Sequence, residues 1–175
     1  DRAVAVIGGG DSALQEALTL AATASRVTIL TLGDKLTAQA AFRDRVAAHD
    51  AIEIRCNVRV REILGGDGVT GVRIEDTASG KSEDVETDGV FIYIGMAPNM
   101  AVSDEVPALD ATGRVWVDMR MRTGLPGIFA AGTVRSGSPG RAVASAGDGV
   151  LDAIVADEYL SGGAWCENYR GDGHG

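Results

Sequence analysis

Cysteine, histidine, proline and aromatic residues are all scarce in this chain of 175 residues, and each scarcity removes a class of function. The two cysteines, Cys56 and Cys166, stand too far apart in sequence to form a Cys-x-x-Cys redox pair, and two are too few for a disulfide framework. With only His49 and His174 to join them, they make no zinc-ligand pattern either. The simplest reading is one buried thiol and one thiol in a C-terminal tail, in a reducing, cytoplasmic setting. No apolar run reaches the roughly 18 residues that a membrane-spanning helix needs. Cations are outnumbered, 16 Lys and Arg against 25 Asp and Glu, giving a formal charge of −9. Phosphate backbones and anionic lipids are held by clustered Lys and Arg, so neither nucleic acid nor a membrane is the expected partner. The first residues, Asp1-Arg2-Ala3-Val4, lack the layout of a secretory signal and lead straight into a strand-like run, which implies a segment upstream.

Glycine, by contrast, is abundant: 24 residues, about twice average usage. The apolar run Ala3-Val4-Ala5-Val6-Ile7 ends at Gly8-Gly9-Gly10 and reads as a buried parallel strand. Residues Asp11 to Ser25 then carry Leu14, Ala17, Leu18 and Ala21 at helical spacing, and Val27 to Leu32 reads as a second buried strand. Together these make a strand-helix-strand unit of about 30 residues. Thr37 to His49 predicts a helix and Ala51 to Arg55 a strand. From Val58 the period becomes two. Val58 to Ile63, Val69 to Glu75 and Glu83 to Thr87, separated by glycine-rich turns, predict an antiparallel meander with one wet face. Gly89 to Ile94 is apolar on both faces and is expected in the interior of the parallel sheet, so the meander is an insertion rather than a domain. Arg114 to Asp118 and Ile128 to Ala131 predict short strands. Ser138-Pro139 predicts the cap and first residue of a last helix, with Val143, Ala146, Val150, Ile154 and Tyr159 on one face. The expected fold class is α/β: a Rossmann-like parallel sheet with an antiparallel insertion, followed by a strand-helix segment.

Gly8-x-Gly10-x-x-Ala13 lies where a strand ends and a helix begins, the context that gives this spacing meaning. Gly8 permits the tight turn, Gly10 lets a pyrophosphate approach the backbone, and Ala13 lets helix and strand pack closely. Free N–H groups of the first helical turn, with the helix dipole, would hold the phosphates. A glycine turn with no ligand is the plainer reading. The adenosine end of such a site is set where the second strand ends, by an acid for NAD or arginines for NADP. Here that strand ends Leu30-Thr31-Leu32-Gly33-Asp34-Lys35. Thr31 stands at the acid position and Asp34 falls past it, so neither signature is present.

The segment Gly8-Gly9-Gly10-Asp11-Ser12-Ala13-Leu14-Gln15-Glu16-Ala17 resembles the nucleotide motif of the bacterial thioredoxin reductase family. Four further segments match in order: Gly68-Val69-Thr70-Gly71-Val72, Ile94-Gly95-Met96-Ala97-Pro98-Asn99, Leu125-Pro126-Gly127-Ile128-Phe129-Ala130-Ala131-Gly132 and Ser145-Ala146-Gly147-Asp148-Gly149. The resemblance implies a pyridine-nucleotide domain over residues 1–113, the C-terminal piece of a flavin domain over 114–160, and a flexible tail over 161–175. It implies NAD(P)H as one cofactor and FAD as a second, shared with a partner or a segment outside this sequence. Gly8, Gly10, Asp11, Ser12 and Ala13 would hold the pyrophosphate, Thr31 would stand at the ribose, and Glu16 and Gly95 would line the nicotinamide side. Ala131, Gly132, Thr133 and Arg141 would be flavin contacts. No catalytic residue is assigned, because in such enzymes the protein positions two cofactors that perform the transfer.

Departures from the family pattern matter as much as the matches. The family's NADPH-binding His-Arg-Arg-x-x-x-Arg falls on Thr31, Leu32, Gly33 and Thr37, which supply no phosphate ligand. Its flavin-binding Ala-Gly-Asp falls on Ala131-Gly132-Thr133, and its Arg-Gln-Ala on Arg141-Ala142-Val143. Threonine can hydrogen-bond but lacks the charge-assisted strength of a carboxylate. The family's Cys-x-x-Cys is absent from the chain. An isolated half of a flavin domain should leave Phe129 and the Val143, Val150, Ile154 stripe uncovered, which predicts pairing with a second polypeptide carrying the other half, or with a copy of itself. The leading function is therefore the nucleotide module of a flavin-dependent oxidoreductase. The alternative is a non-catalytic accessory subunit with degenerate cofactor sites.

Other candidates are weaker. Ser12 and His49 lack a Gly-x-Ser-x-Gly elbow and a third partner, so hydrolysis is not expected. Glu83, Asp84, Glu86 and Asp88 form an acidic strand edge, better read as solvated than as a cation site. Met96, Met100, Met119 and Met121 are expected to fill core space.

Overall fold

The structure is a computed structural model and describes residues 2–99, 105 and 107–165. Met100, Cys166 and His174, and the tail from 166 onward, lie outside the described residues. The chain divides into two compact units, Asp1–Gly95 and Met96–Gly175.

Unit 1 opens with β1 (Ala3–Ile7), α1 (Asp11–Leu20) and β2 (Arg26–Leu30), followed by α2 (Ala40–Ala47) and β3 (Ile52–Arg55). The antiparallel strands β4 (Val58–Gly65), β5 (Val69–Asp76) and β6 (Ser82–Glu86) come next, and β7 (Gly89–Ile92) returns to the first sheet. The parallel sheet has the order β3-β2-β1-β7, and the meander forms its own sheet, β4-β5-β6. Alternation along each parallel strand sorts side chains between two cores, as a strand buried on both faces requires. Val6, Val27 and Ile29 pack with Ala13, Leu14 and Ala17 of α1 and Val46 of α2. Ala5 and Leu30 turn the other way, onto Val58, Val72 and Ile74 of the meander. The meander is thus a third layer lying on the parallel sheet. Its outer face carries ion pairs, Arg61 with Glu75 and Arg73 with both Glu62 and Asp84.

Several expected boundaries move for identifiable reasons. Helix α1 stops at Leu20 because the next amides turn back in tighter bonds, Ala22 to Thr19 and Thr23 to Leu20, before Ser25 bonds the Arg2 carbonyl. Helix α2 starts at Ala40, not Thr37, because the Thr37 and Ala38 amides both donate to the Gly9 carbonyl, at 2.8 and 3.0 Å. The β7 strand joins the parallel sheet but at its edge, so Ile92 and Ile94 are exposed rather than interior. A register shift between Val60 and Glu62 breaks the alternation of β4 and leaves Ile63 exposed. Glu83 and Asp84 of the acidic edge are ion-paired, with Arg55 and Arg73, rather than simply solvated.

The described residues of unit 2 are mostly irregular chain around α3 (Ala142–Leu160), with a 3-10 turn at Gly132–Val134. The strands expected at Arg114 to Asp118 and Ile128 to Ala131 are only isolated bridges, Val115 with Leu109 and Arg135, and Phe129 with Arg122. The last helix begins at Ala142 with Arg141 at its N-cap, not at Ser138-Pro139, because Gly140 has φ of +64°, off the helical path. One face of α3 buries Asp148 and Val155; the other exposes Val143 at 86%, Val150 at 63% and Ile154 at 53%. Tyr159 leaves that stripe and joins an edge-to-face cluster with Phe129 and Trp165, so Phe129 is half-buried by its own unit. Of the methionines expected in the core, Met121 is buried, whereas Met96 and Met119 are exposed. Cys56 is half-buried rather than buried. No described helix is long and apolar enough to cross a membrane.

Candidate functional site

The Gly8-Gly9-Gly10 loop sits at the C-terminal end of β1, which is flanked by β2 on one side and β7 on the other. This is where the order of a parallel sheet reverses, and where open α/β sheets bind ligands. The three glycines differ in what they answer to. Gly8 has φ of +135°, and a Cβ there would meet the Tyr93 carbonyl oxygen at 2.2 Å. At Gly9 a Cβ would meet Thr31 Oγ1 at 2.7 Å. Gly10 has an ordinary φ of −91°, and a Cβ would approach nothing nearer than Thr37 Oγ1, at 3.9 Å. The first two glycines are required by the protein's own packing. The third leaves open space at the N-cap of α1, where no side chain caps the helix. A helix's first turn has no carbonyls four residues back, so the N–H groups of Ser12 and Ala13 are donors at the start of α1. Ala13 is fully buried, its Cβ 3.4 Å from where a Gly8 side chain would lie, which is the close helix-strand packing expected of it.

The segment after β2 is fixed to this loop. The Gly8 amide donates to Leu30 O at 2.9 Å, and Gly9 O receives the Thr37 and Ala38 amides. On its far side the segment is pinned to the β3–β4 corner: Thr31 N to Arg55 O, Val58 N to Thr31 O and Asn57 N to Gly33 O, all between 2.9 and 3.1 Å. Thr31 is buried against Gly9, while Leu32, Gly33, Asp34 and Lys35 are exposed. The Asp11 carboxylate accepts from the Gln39 backbone N–H at 2.8 Å and from Gln39 Nε2 at 2.7 Å. Asp11 therefore links the starts of two helices, a role that spacing alone does not show. Ser12 is exposed in the first turn; Glu16 lies one turn further on, half-buried. Gly95, exposed and with φ of +97°, ends the unit.

In unit 2 the residues from Gly132 to the middle of α3 are organised around Asp148. Its carboxylate takes two hydrogen bonds from Arg135, Nε at 2.6 Å and Nη2 at 2.8 Å, and a third from the Gly132 amide at 3.1 Å. The Arg135 guanidinium so placed holds the Asp148 carboxyl below the usual carboxylate range. Gly132 has φ of +76°, and a Cβ would press on Ser145 Oγ at 3.3 Å. Ala131 is half-buried, and Thr133 and Arg141 are exposed. Asp152, one turn after Asp148, has its Oδ1 shielded from solvent with no hydrogen-bond partner, and burial pushes its pKa up. Among the described residues no group of three or more His, Cys, Asp or Glu side chains is arranged to hold a metal.

Comparison with known proteins places this geometry. Residues 1–149 match the family described as pyridine nucleotide-disulphide oxidoreductase. The chain belongs to that family. Within the family, the chain is 40% identical to the thioredoxin reductase of Listeria monocytogenes over 161 residues, covering 91% of this chain and 50% of that protein. It is 34% identical over 157 residues to a component of the alkyl hydroperoxide reductase of Staphylococcus aureus, covering 90% of this chain and 31% of that one. The solved thioredoxin reductase of Lactococcus lactis superposes with a TM-score of 0.85 at 32% identity, over 93% of this chain and 54% of that one. That of T. acidophilum gives 0.83 at 34% identity, over 91% and 53%. The chain thus spans about half the length of the thioredoxin reductases it matches. The α/β fold, with its parallel sheet and antiparallel insertion, is the fold of these oxidoreductases.

Within this family frame the structure brings together Gly8, Gly10, Asp11, Ser12, Ala13 and Thr31 in unit 1, and Ala131, Gly132 and Thr133 at the start of the 3-10 turn in unit 2. Sequence reasoning missed the Arg135–Asp148 pair. The available signal was an acid among the apolar positions of a helix, which requires a partner when buried.

Proposed function

We propose that this chain is the pyridine-nucleotide-binding module of a thioredoxin reductase-like, flavin-dependent oxidoreductase. The observation that carries the reading is Gly10: the protein's own packing does not require a glycine there, yet the position keeps clear space over an uncapped helix start. Bound pyrophosphate would accept from the first-turn amides of α1, with Ser12 beside it and the backbone at Gly10 in close approach. Glu16 and Gly95 would border the nicotinamide. NAD(P)H, when bound, supplies a hydride to FAD; the residues of this chain bind and orient and carry no covalent step.

For flavin, unit 2 by itself fits poorly. The Gly132 amide is committed to Asp148, and Thr133 offers a hydroxyl where the family has an acid. We place the rest of that cradle on a second polypeptide, or on further sequence, that carries the other half of the flavin domain. The exposed Val143, Val150 and Ile154 face of α3 supports this, because an apolar stripe opposite an already buried face suits a helix covered on both sides. The same Gly132 and Thr133 observations favour a second reading, a non-catalytic accessory subunit.

Titration of the purified chain with NADH and NADPH, followed by calorimetry, separates the two. Micromolar binding of either supports the module; no binding at millimolar concentration of both supports the accessory subunit.

A further inference from the structure

We infer that the nucleotide of this site is NADH, and that the pinned segment between β2 and α2 excludes the 2′-phosphate of NADPH; the inference rests on the nucleotide reading above and deepens it. The segment that would face the adenosine ribose is held in one shape by backbone hydrogen bonds at both ends, to the Arg55 carbonyl and from the Asn57 and Val58 amides on one side, and to the Gly9 carbonyl on the other. Its side chains, rather than a rearrangement of its backbone, therefore decide what it accepts. Between Thr31 and Ala38 it carries one cation, Lys35, and one acid, Asp34, both exposed. Its formal charge is zero. A phosphate monoester brings about −1.5 to −2 at neutral pH and is held by clustered, often bidentate, arginines.

No arginine lies in the segment. Arg43 and Arg45 belong to α2 beyond it, and Arg55, at the pinning corner, is ion-paired with Glu83. Asp11 adds a second carboxylate near the loop, held in place by Gln39. A ribose with both hydroxyls free needs no cation; although Asp34 lies past the usual acid position, it is an exposed acceptor on the loop after β2. Leu32, 56% exposed, offers an apolar surface for adenine. Charge and composition thus both favour the nucleotide without the extra phosphate.

The test is separate titration of the full chain with NADH and with NADPH, in low salt, for the native protein and for Leu32→Arg and Leu32→Arg/Gly33→Arg. The single variant guards against a folding failure, since Leu32 is exposed whereas a side chain at Gly33 would press on Lys35 O at 3.3 Å. Expected is a native preference for NADH of about tenfold or more, about 1.4 kcal/mol. Either arginine variant should narrow that preference by raising NADPH affinity, with NADH changed by less than about threefold. Equal or tighter native binding of NADPH overturns the inference and leaves the nucleotide module standing. A native preference for NADH that the arginines leave untouched overturns the role given to the segment. Binding of neither nucleotide overturns module and inference together.

Discussion

Asp11 and Gln39 form a clamp in which one carboxylate caps the start of α2 and grips the side chain of its N-cap residue. Both contacts are lost in Asp11→Ala, while Asp11→Asn can keep the one to the backbone. The alanine variant is expected to lose about 1–2 kcal/mol in urea unfolding, the range of a lost cap with its hydrogen bonds. The asparagine variant should lose less. An alanine variant as stable as the native chain would remove the clamp from any account of the fold.

Gly8 and Gly10 should respond in opposite ways to the same substitution. Gly8→Ala drives a methyl into the Tyr93 carbonyl at a φ that side chains rarely adopt, and is expected to cost more than about 3 kcal/mol or to prevent folding. Gly10→Ala meets nothing closer than 3.9 Å, and should leave thermal unfolding within about 1 kcal/mol of native. Its nucleotide affinity, read by calorimetry, should fall at least about tenfold because the methyl occupies the phosphate approach. Unchanged affinity would place the nucleotide elsewhere.

Asp148 and Asp152 predict pH dependences of opposite sign. Asp148 has a lowered pKa in the fold, so its stabilisation is complete above the ordinary aspartate value, about 3.9, and is lost as pH falls through the folded value. Asp152 has a raised pKa, so the folded state holds its proton more tightly than the unfolded chain. Its cost is absent in acid and grows as pH rises from about 4 through the folded value. Asp152→Asn should therefore stabilise by about 1 kcal/mol at pH 7 and by nothing near pH 3, measured as urea midpoints. Asp148→Asn should destabilise at pH 7 by about 2–3 kcal/mol, because it weakens the charge that Arg135 and the Gly132 amide share. A gain from Asp152→Asn that did not change with pH would point to packing instead.

The exposed stripe of α3 can be tested without disturbing the fold. Val143→Ser, Val150→Ser and Ile154→Ser together remove apolar surface that is already in solvent, so the stability change should stay within about 1 kcal/mol. If α3 carries the proposed pairing, association with a polypeptide holding the other half of a flavin domain, or with a second copy, should be abolished, as read by sedimentation velocity. Association surviving the triple change would move the interface off this helix.

Much of unit 1 was legible because its strands announce their surroundings. Val27-Thr28-Ile29-Leu30 is apolar enough to be buried on both faces, and Val69 to Asp76 alternates as a half-wet strand must. What escaped were facts set by distant backbone. Thr37 and Ala38 look helical until Gly9 takes their amides, and Gly89 to Ile92 is as apolar as an interior strand although it closes the sheet. Unit 2 was less legible throughout. Its short apolar runs, Arg114 to Asp118 and Ile128 to Ala131, lack neighbours with which to form a ladder and remain single bridges. The glycine motif was readable in full, but not that Asp11 would be occupied by Gln39.

The hydrogen bonds that tie Gly8 to Leu30 and Gly9 to Thr37 and Ala38 carry a kinetic consequence. A loop already held in one shape asks for no folding step on ligand arrival, so nucleotides should be captured at similar, encounter-limited rates. Discrimination would then be expressed in how long each nucleotide stays.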